Sequence, residues 1–352
     1  MAKNAFIYSE SILLVFIIIL RNSKLNKDEF GNKTRMNWSE KRVLVTGAAG
    51  FLGSHLVNQL QKAGAKDIVT PSSKEYDLRK NENCRKVVRD IDIVFNLAGR
   101  IGGIEFNKQM PGELFYDNLM IGTQLLHEAK NASVEKFVAQ GTVCSYPKFG
   151  QIPFTEDMIW DGYPEEINAP YGLAKKMLLV QSQAYRQQYK FKSIVIIPTN
   201  IYGPNDNFEL SSSHVIPALI RKIFNAKKNG DESIVAWGDG SATRDFMYVE
   251  DTAKGLILAG EKYDDDEPLN IGTSRETSIK ELTETICELM DYNGNVVWDK
   301  TKSNGQPRRC ISNLRAKEMI GFEATTKLKD GLKNTIEWFV ENQEKITIKN
   351  KL

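Results

Sequence analysis

The chain has 352 residues, of which 41% are hydrophobic and 26% are charged, and its formal net charge is +2. This composition is typical of a globular protein with a substantial core, in one large domain or two closely packed ones. No long run of one charge sign is present, which argues against a nucleic-acid partner. The four cysteines form no C-x-x-C and the three histidines no H-x-x-x-H. No metal site is therefore predicted, and the sparse thiols favour a cytoplasmic location.

The first 40 residues are predicted to be an extension that is not part of the fold. Residues 12–20 (ILLVFIIIL) are strongly apolar, but they are fewer than the roughly 20 residues that a membrane-spanning helix needs. A signal peptide is disfavoured because Lys3 is the sole basic residue before the apolar run and no clear cleavage site follows it. Met36 resembles a natural start a few residues before the first buried strand. We expect no membrane partner, with an anchor at 12–20 as the open alternative.

From residue 42 onward, apolar strands alternate with amphipathic helices. The strands carry near-continuous Val/Ile runs, which indicates strands covered on both faces, as in a parallel sheet. The alternation predicts an α/β fold with a doubly wound, Rossmann-like parallel sheet. The predicted strands are 42–47, 67–71, 92–99, 136–142 and 193–204, and the predicted helices are about 50–63, 111–131, 170–188, 215–228, 278–291 and 325–342.

The rhythm of the sequence changes after residue 204, and this change predicts the domain organisation. Residues 41–200 are expected to form a dinucleotide-binding domain, to which 244–275 return. Residues 201–243 and 276–342 are expected to form a smaller α/β substrate-binding cap over the strand ends. The last residues, 343–352, are expected to be a C-terminal tail.

A glycine-rich loop follows the first strand and opens the first helix. Its glycines, Gly47, Gly50 and Gly53, are spaced G-x-x-G-x-x-G. Glycines let the backbone turn tightly and approach a pyrophosphate, while the helix N-terminus supplies N–H donors and a partial positive charge. The triplet alone is weak evidence. Its position between a Val-rich strand and an amphipathic helix makes a dinucleotide site the favoured interpretation.

The end of the second strand predicts which dinucleotide binds. An NAD enzyme usually offers a carboxylate to the ribose hydroxyls there, whereas this chain has Ser72, Ser73 and Lys74. A carboxylate would repel a 2′-phosphate, but hydroxyls and an ammonium would accept one. We therefore predict NADP(H), with NAD(H) as the alternative, because Lys74 could equally be a solvated loop residue.

Tyr171 and Lys175 are four residues apart in a predicted helix, so their side chains share one face. A phenol titrates near ~10, and an adjacent ammonium stabilises the phenolate. Such a pair can pass a proton to or from a sugar oxygen while a nicotinamide exchanges hydride at the same carbon. The Y-x-x-x-K pattern is common on helix surfaces. Its significance here comes from the glycine loop upstream and from Thr142, which is available as a hydroxyl partner.

The spacing of the glycine loop resembles that of the extended short-chain dehydrogenase/reductases, and seven further segments resemble the GDP-L-fucose synthase family in order and spacing. They are NLAGRIGGI (96–104), GTVCSYPK (141–148), APYGLAKK (169–176), PTNIYGPNDNF (198–208), SSHVIPALIRK (212–222), WGDGSATRDF (237–246) and GQPRR (305–309). The similarity covers about residues 40–340. It implies a 3,5-epimerase and 4-reductase that acts on GDP-4-keto-6-deoxy-mannose, and a homodimer that packs through the helices at 111–131 and 170–188.

By this resemblance, Cys144 and His214 match the family's epimerisation pair. Protons next to a ketone must leave one face of the sugar and return on the other, and a thiol and an imidazole can both titrate near neutrality. The family has serine where this chain has Thr142, which keeps the hydroxyl. Cys144 and His214 as packing residues remain the alternatives.

Further contacts are predicted for both ligands. The resemblance implies that the nucleotide sugar contacts Asn200, Lys222, Trp237, Arg244 and Arg309. Arginine suits a diphosphate and tryptophan offers a flat apolar wall. Contacts to the cofactor are predicted at Gly47, Gly50, Phe51, Leu52, Gly53, Ser73, Lys74, Asp77, Leu78, Ala98, Gly99, Tyr171, Lys175, Pro198 and Asn200.

Other functions stay open at this point. A 4,6-dehydratase is disfavoured because Val143 and Cys144 stand where an Asp-Glu pair would follow Thr142. A redox-neutral, NAD-dependent nucleotide-sugar 4-epimerase needs no Cys/His pair and is the main alternative. A GDP-mannose 3,5-epimerase matches the segment around His214 less well. A nucleotide-sensing protein that has lost turnover is the non-enzymatic alternative.

Overall fold

The computed structural model describes residues 36–349, with the side chains of 345 and 347–349 excepted. The apolar segment 12–20 lies outside the described residues. Within residues 36–349, no helix is long and apolar enough to cross a membrane.

The described chain contains strands and helices in close alternation. The strands are β1 (Arg42–Thr46), β2 (Asp67–Val69), β3 (Ile93–Asn96), β4 (Lys136–Gln140), β5 (Ser193–Pro198), β6 (Asn200–Tyr202), β7 (Ser233–Trp237), β8 (Thr243–Arg244), β9 (Phe246–Tyr248), β10 (Leu269–Ile271), β11 (Thr277–Ser278), β12 (Asn295–Asp299) and β13 (Arg308–Arg309). The helices are α1 (Phe51–Lys62), α2 (Asn81–Val87), α3 (Ile104–Gln109), α4 (Pro111–Asn131), α5 (Ala169–Tyr189), α6 (Val215–Asn229), α7 (Val249–Lys262), α8 (Ile279–Leu289), α9 (Leu314–Ile320) and α10 (Leu328–Lys349).

The main sheet has six strands in the order β10–β5–β4–β3–β1–β2, and all its neighbouring pairs are parallel. Every residue of β3 and β5 is buried, as expected for strands that helices cover on both faces. The predicted doubly wound parallel sheet is therefore confirmed. Between β1 and β3 the strand order reverses, and ligands of such sheets bind in the crevice outside the carboxyl ends at this point.

The structure divides the predicted strand at 193–204 into two. β5 ends at Pro198, and β6 leaves the main sheet to pair with β9. The residue between them, Thr199, donates its hydroxyl to the Asp245 carbonyl oxygen at 3.0 Å and its backbone N–H to the Ile271 carbonyl oxygen at 3.1 Å. The bond to Ile271 continues the pairing of β5 with β10, whereas the bond to Asp245 leads the chain towards β6 and β9. This is a tertiary effect that strand propensity does not contain.

Two smaller sheets and their helices form a second apolar cluster. β12 pairs with β7, and β8 lies between β11 and β13. Ile223, Leu282 and Phe339 pack together in this cluster, whereas Val94 and Phe137 belong to the cluster beneath the main sheet. The predicted division into a dinucleotide-binding domain and a cap stays a prediction, and the separation of the clusters is consistent with it.

Both ends of the fold extend beyond the predicted boundaries. Trp38, which was assigned to the extension, is buried beside the Phe95 ring and donates its indole N–H to Glu261 Oε1 at 2.6 Å. At the other end, α10 continues to Lys349, where a tail was expected from residue 343. Ile346 packs against the second cluster there, and this contact extends the helix.

Candidate active site

The glycine loop between β1 and α1 has the geometry of a phosphate cradle. Gly47 has a φ of 70°, and the Gly50 N–H donates to the Gly47 carbonyl oxygen at 2.9 Å. A Cβ atom at Gly53 would lie 2.1 Å from that oxygen, so α1 approaches the loop as closely as glycine allows. Gly50 caps α1 without a side-chain hydrogen bond. The first-turn N–H groups of Phe51 and Leu52 therefore receive no side-chain cap, which suits a pyrophosphate.

A buried hydroxyl joins the ends of β1 and β3. Thr46 Oγ1 donates to Asn96 Oδ1 at 2.9 Å and accepts the backbone N–H of Ala98 at 3.1 Å. Thr46 and Asn96 are fully buried. The bonds hold the Gly47 turn against the Ala98–Gly99 loop, on either side of the crevice where the strand order reverses.

The segment after β2 contains an exposed turn and a buried anchor. Ser73 and Lys74 are exposed, at the carboxyl end of β2. Asp77 is bound by Arg79, whose hydrogen bond to the carboxylate is the largest cause of the lowered pKa of Asp77. Leu78 packs into the cluster beneath the main sheet, so its side chain is not open to a ligand.

Tyr171 and Thr142 form a buried hydroxyl pair. The Tyr171 phenol lies close to the Thr142 side chain, whose oxygen accepts the backbone N–H of Cys144 at 3.2 Å. Burial is the largest cause of the raised pKa of Tyr171, Cys144 raises it further, and the bond to Thr142 lowers it. The phenol is therefore protonated in the neutral range.

Lys175 lies one helical turn after Tyr171 and is also buried. Burial lowers the pKa of the Lys175 ammonium to about 8, so the group carries most of a positive charge at neutral pH. It faces the loop after β3, since a side chain at Gly99 would meet Lys175 Nζ at 3.4 Å and Asn118 Oδ1 at 2.6 Å. Lys175 therefore lies beside Gly99, one of the predicted cofactor contacts.

The first turn of α5 presses against the turn that carries Cys144. A Cβ atom at Gly172 would lie 2.3 Å from the Cys144 carbonyl oxygen. The Ser145 hydroxyl donates to the Gly172 carbonyl oxygen at 2.8 Å. Tyr171 and Cys144 are thus neighbours through backbone contact.

The Arg309 side chain contacts the Cys144 thiol. Its Nη1 lies 3.5 Å from Cys144 Sγ, and its Nε donates to Gln306 Oε1 at 3.1 Å. Gln306 is a residue that the sequence reasoning missed. The signal was its place in the GQPRR segment, but nothing in the sequence shows that this amide is buried and oriented.

His214 immediately precedes α6 and is exposed by surface area. Nevertheless, desolvation by surrounding protein is the largest cause of its lowered pKa, and the charge of Arg309 is the second. A side chain that is both accessible and crowded is what lines a cleft. The backbone is fixed behind it, because Gly103 donates to the Ser212 carbonyl oxygen at 2.9 Å.

Arg244 lies close to Arg309, and Asn200 lies beside Asp245, the residue that follows Arg244. Arg244 donates to the Thr243 and Asn304 carbonyl oxygens at 2.7 and 3.2 Å. Burial first, and repulsion by Arg309 second, lower the pKa of Arg244 to about 9. Asn200 follows Pro198 and donates its amide to the Asp245 carbonyl oxygen at 2.8 Å.

Lys222 and Trp237 form a separate pair on the second cluster. Lys222 donates to the Val235 carbonyl oxygen at 2.8 Å and lies 5.6 Å from the centre of the Trp237 ring, which is 41% exposed. Asn304 links the segment of Trp237 to Arg244. Its carbonyl oxygen accepts from Arg244, and its side chain accepts the backbone N–H of Asp239, two residues after Trp237. Within residues 36–349, no group of three or more His, Cys, Asp or Glu side chains could hold a metal ion.

The sequence profile of the NAD dependent epimerase/dehydratase family matches residues 43–272. The chain belongs to this family. It is similar to "GDP-L-fucose synthase 1" of Arabidopsis thaliana, with 35% identity over 87% of this chain and 95% of that one. It is also similar to the "GDP-L-fucose synthase" of Escherichia coli strain K12, with 34% identity over 87% of this chain and 99% of that one.

The fold is also similar to that of a solved structure. The GDP-L-fucose synthetase from Naegleria fowleri bound to NADP superimposes with a TM-score of 0.81 and 28% sequence identity. The match covers 89% of this chain and 96% of that one.

The contact at Gly53 tests the cofactor loop. In Gly53→Ala, the new methyl group would lie 2.1 Å from the Gly47 carbonyl oxygen, and relief of this overlap costs about 1–3 kcal/mol. We expect NADPH or NADH to bind about five- to hundredfold more weakly, measured by calorimetric titration. Gly112→Ala is the matched control, because a Cβ atom there meets nothing within 4 Å. Equal affinity of Gly53→Ala and the unmodified protein would contradict the assignment of the loop.

Proposed function

We propose that this chain converts GDP-4-keto-6-deoxy-D-mannose to GDP-L-fucose by epimerisation at C3 and C5 and reduction at C4. One observation carries the proposal: the close approach of Gly172 to the Cys144 carbonyl oxygen. Through this contact, the proton-donating phenol of Tyr171 and the thiol of Cys144 serve one sugar. The names of the Arabidopsis and E. coli relatives support the same product here.

The epimerisation uses groups that exchange protons with carbon. The C4 ketone makes the protons on C3 and C5 acidic, because the enolate that forms spreads its charge onto oxygen. Cys144 and His214 remove a proton from one face and deliver one to the other. The lowered pKa of His214 leaves the imidazole neutral at pH 7. A neutral imidazole can either accept a proton or pass one on.

The reduction uses the buried hydroxyl pair. NADPH would supply a hydride to C4, and the NADP in the Naegleria relative supports this choice over NADH. Tyr171 donates a proton to the ketone oxygen as the alcohol forms. Thr142 orients the phenol, and the Lys175 ammonium stabilises the phenolate that is left. The cradle formed by the glycine loop and the uncapped start of α1 would hold the pyrophosphate.

A separate set of side chains would bind the nucleotide sugar. Arg244 and Arg309 would neutralise the diphosphate or the sugar oxygens near Cys144, and Asn200 offers an amide beside them. Lys222 and Trp237 would contact the far end of the nucleotide, where a flat ring suits a base. The redox-neutral 4-epimerase is not favoured, because it has no use for Cys144 and His214.

The two half-reactions can be separated by mutation. In ²H₂O, Cys144→Ser should lose deuterium incorporation at C3 and C5 by about 10²-fold or more, the typical contribution of a positioned acid or base. Tyr171→Phe should keep the incorporation and lose NADPH-dependent reduction. Mass spectrometry of the sugar and the NADPH absorbance give the two readouts. Cys287→Ser is the control and should keep both. Normal exchange in Cys144→Ala would remove the role assigned to the thiol.

We also propose a homodimer through α4 and α5. Exposed apolar side chains follow both helices: Phe115, Tyr116, Met177, Val180 and Tyr189. A second copy related by a two-fold axis would cover these apolar groups.

The mass in solution tests the dimer. Light scattering should give twice the chain mass of 39.8 kDa, and Val180→Asp should shift it towards a single chain, because the two-fold axis brings the added charge close to an apolar partner surface. A mass of one chain for the unmodified protein at micromolar concentration would exclude the dimer.

A cytoplasmic location is part of the proposal. Cys84, Cys144, Cys287 and Cys310 are all free thiols, which suits a reducing compartment. Cell fractionation with the activity in the cytosolic fraction would support this location, and activity confined to the membrane fraction would contradict it.

A further inference from the structure

Arg309 is a buried cation without an acidic partner in the described part of the chain. Its relative exposure is 7%, and none of the ion pairs between described residues includes it. A buried charge that lacks a counter-ion is costly. The adjacent Arg308, by contrast, is exposed and pairs with Glu276. The fold therefore holds a cation at position 309 for some other negative group.

The group within reach of the guanidinium is the Cys144 sulfur, 3.5 Å from Nη1. A cation beside a cysteine favours the thiolate, which is the form that accepts protons. The contact also joins two distant segments, the turn after β4 and strand β13.

The other charged and titratable groups around Cys144 leave the local field positive. Arg244 adds a second cation, and its pKa is lowered by burial first and by Arg309 second. Tyr171 is protonated and His214 neutral at pH 7, since burial raises the pKa of the phenol and lowers that of the imidazole. Glu165 is the carboxylate that acts on Arg244 and accepts the amide of Asn168 at 2.6 Å. Its single negative charge stands against the two cations Arg244 and Arg309.

Gln306 fixes the direction of the guanidinium. Its amide N–H groups donate to the Pro147 and Lys148 carbonyl oxygens at 3.3 and 3.0 Å, and its Oε1 accepts from Arg309 Nε. Gln306 is buried. The chain that leaves the Cys144 turn thus holds the amide, and the amide holds the arginine that contacts the sulfur.

We propose that Arg309 is the resting counter-ion of a Cys144 thiolate, and that Gln306 is the positioning residue that directs Arg309 to the sulfur. The inference deepens the proposed function, on which it rests for the role of Cys144 in epimerisation. The charge of Arg309 favours the thiolate form of Cys144, which is the form that can accept a proton from carbon. When that proton moves, the S–H bond forms, the C–H bond breaks and the electron pair passes to the ketone oxygen.

The fork of an arginine is needed at this position. Nε is bound to Gln306 while Nη1 reaches Cys144, and a lysine has a single nitrogen and could do only one of the two. Arg309→Lys should therefore keep part of the effect of Arg309, and Arg309→Gln should lose it.

Alkylation by iodoacetamide tests the proposal without sugar or cofactor. At neutral pH, Cys144 of Arg309→Gln should be labelled at about one-tenth of the rate in the unmodified protein, or more slowly still. Mass spectrometry of the peptides gives the rate. Arg309→Lys and Gln306→Met should give intermediate rates, and the pH for half-maximal labelling should rise in all three. Cys287 in the same samples is the internal reference and should be labelled at an unchanged rate.

A second measurement needs no variant of Arg309. The ultraviolet absorbance of the unmodified protein minus that of Cys144→Ser should contain a thiolate band at neutral pH. Absence of this band, or unchanged labelling of Cys144 in Arg309→Gln, would overturn the inference. Failure of the proposed function is distinguishable: thiolate signals with no exchange or reduction of the sugar would reject the proposed function alone.

Discussion

The candidate site depends on a steric constraint between α5 and the turn after β4. The Cys144 carbonyl oxygen occupies the space that a side chain at position 172 would fill, so glycine alone allows the helix to begin there at this distance. Once the two backbones meet, the Tyr171 phenol reaches Thr142, and Thr142 in turn accepts the Cys144 N–H. One backbone contact thereby joins the groups that we propose for reduction and for epimerisation.

Burial sets the protonation states of the residues that we propose for proton transfer. It lowers the pKa of Lys175 to about 8 and raises that of Tyr171, so the cation and the neutral phenol coexist at pH 7. His214 and Arg244 are shifted in the direction of their neutral forms, by burial first and by Arg309 second. The main sheet provides the frame, because the loops after β1, β3 and β4 leave from the same edge.

The repeating parts of the fold could be predicted from the sequence. The Val/Ile runs predicted the parallel sheet, and helix α4 has the predicted bounds 111–131. The break at Thr199 could not be predicted, because it depends on a bond to Asp245, which is distant in the chain. Trp38 was missed for a similar reason, since its partners Phe95 and Glu261 come from other elements.

The same limit applies to the site. Spacing was enough to place Tyr171 and Lys175 on one helical face, and family motifs pointed to Cys144 and His214. The sequence assigned Arg309 to the substrate, and nothing in it could show that the guanidinium contacts the Cys144 sulfur. Gln306 was not identified, because a buried amide network requires knowledge of which carbonyl groups surround it.

The central claim is that one cavity performs both epimerisation and reduction, and product analysis with GDP-4-keto-6-deoxy-D-mannose tests it most directly. The account predicts that NADPH is consumed in a one-to-one ratio to sugar, that NADH is used less well, and that the product is inverted at both C3 and C5. Formation of a sugar isomer with no loss of NADPH, or a reduced product with C3 and C5 unchanged, would contradict it.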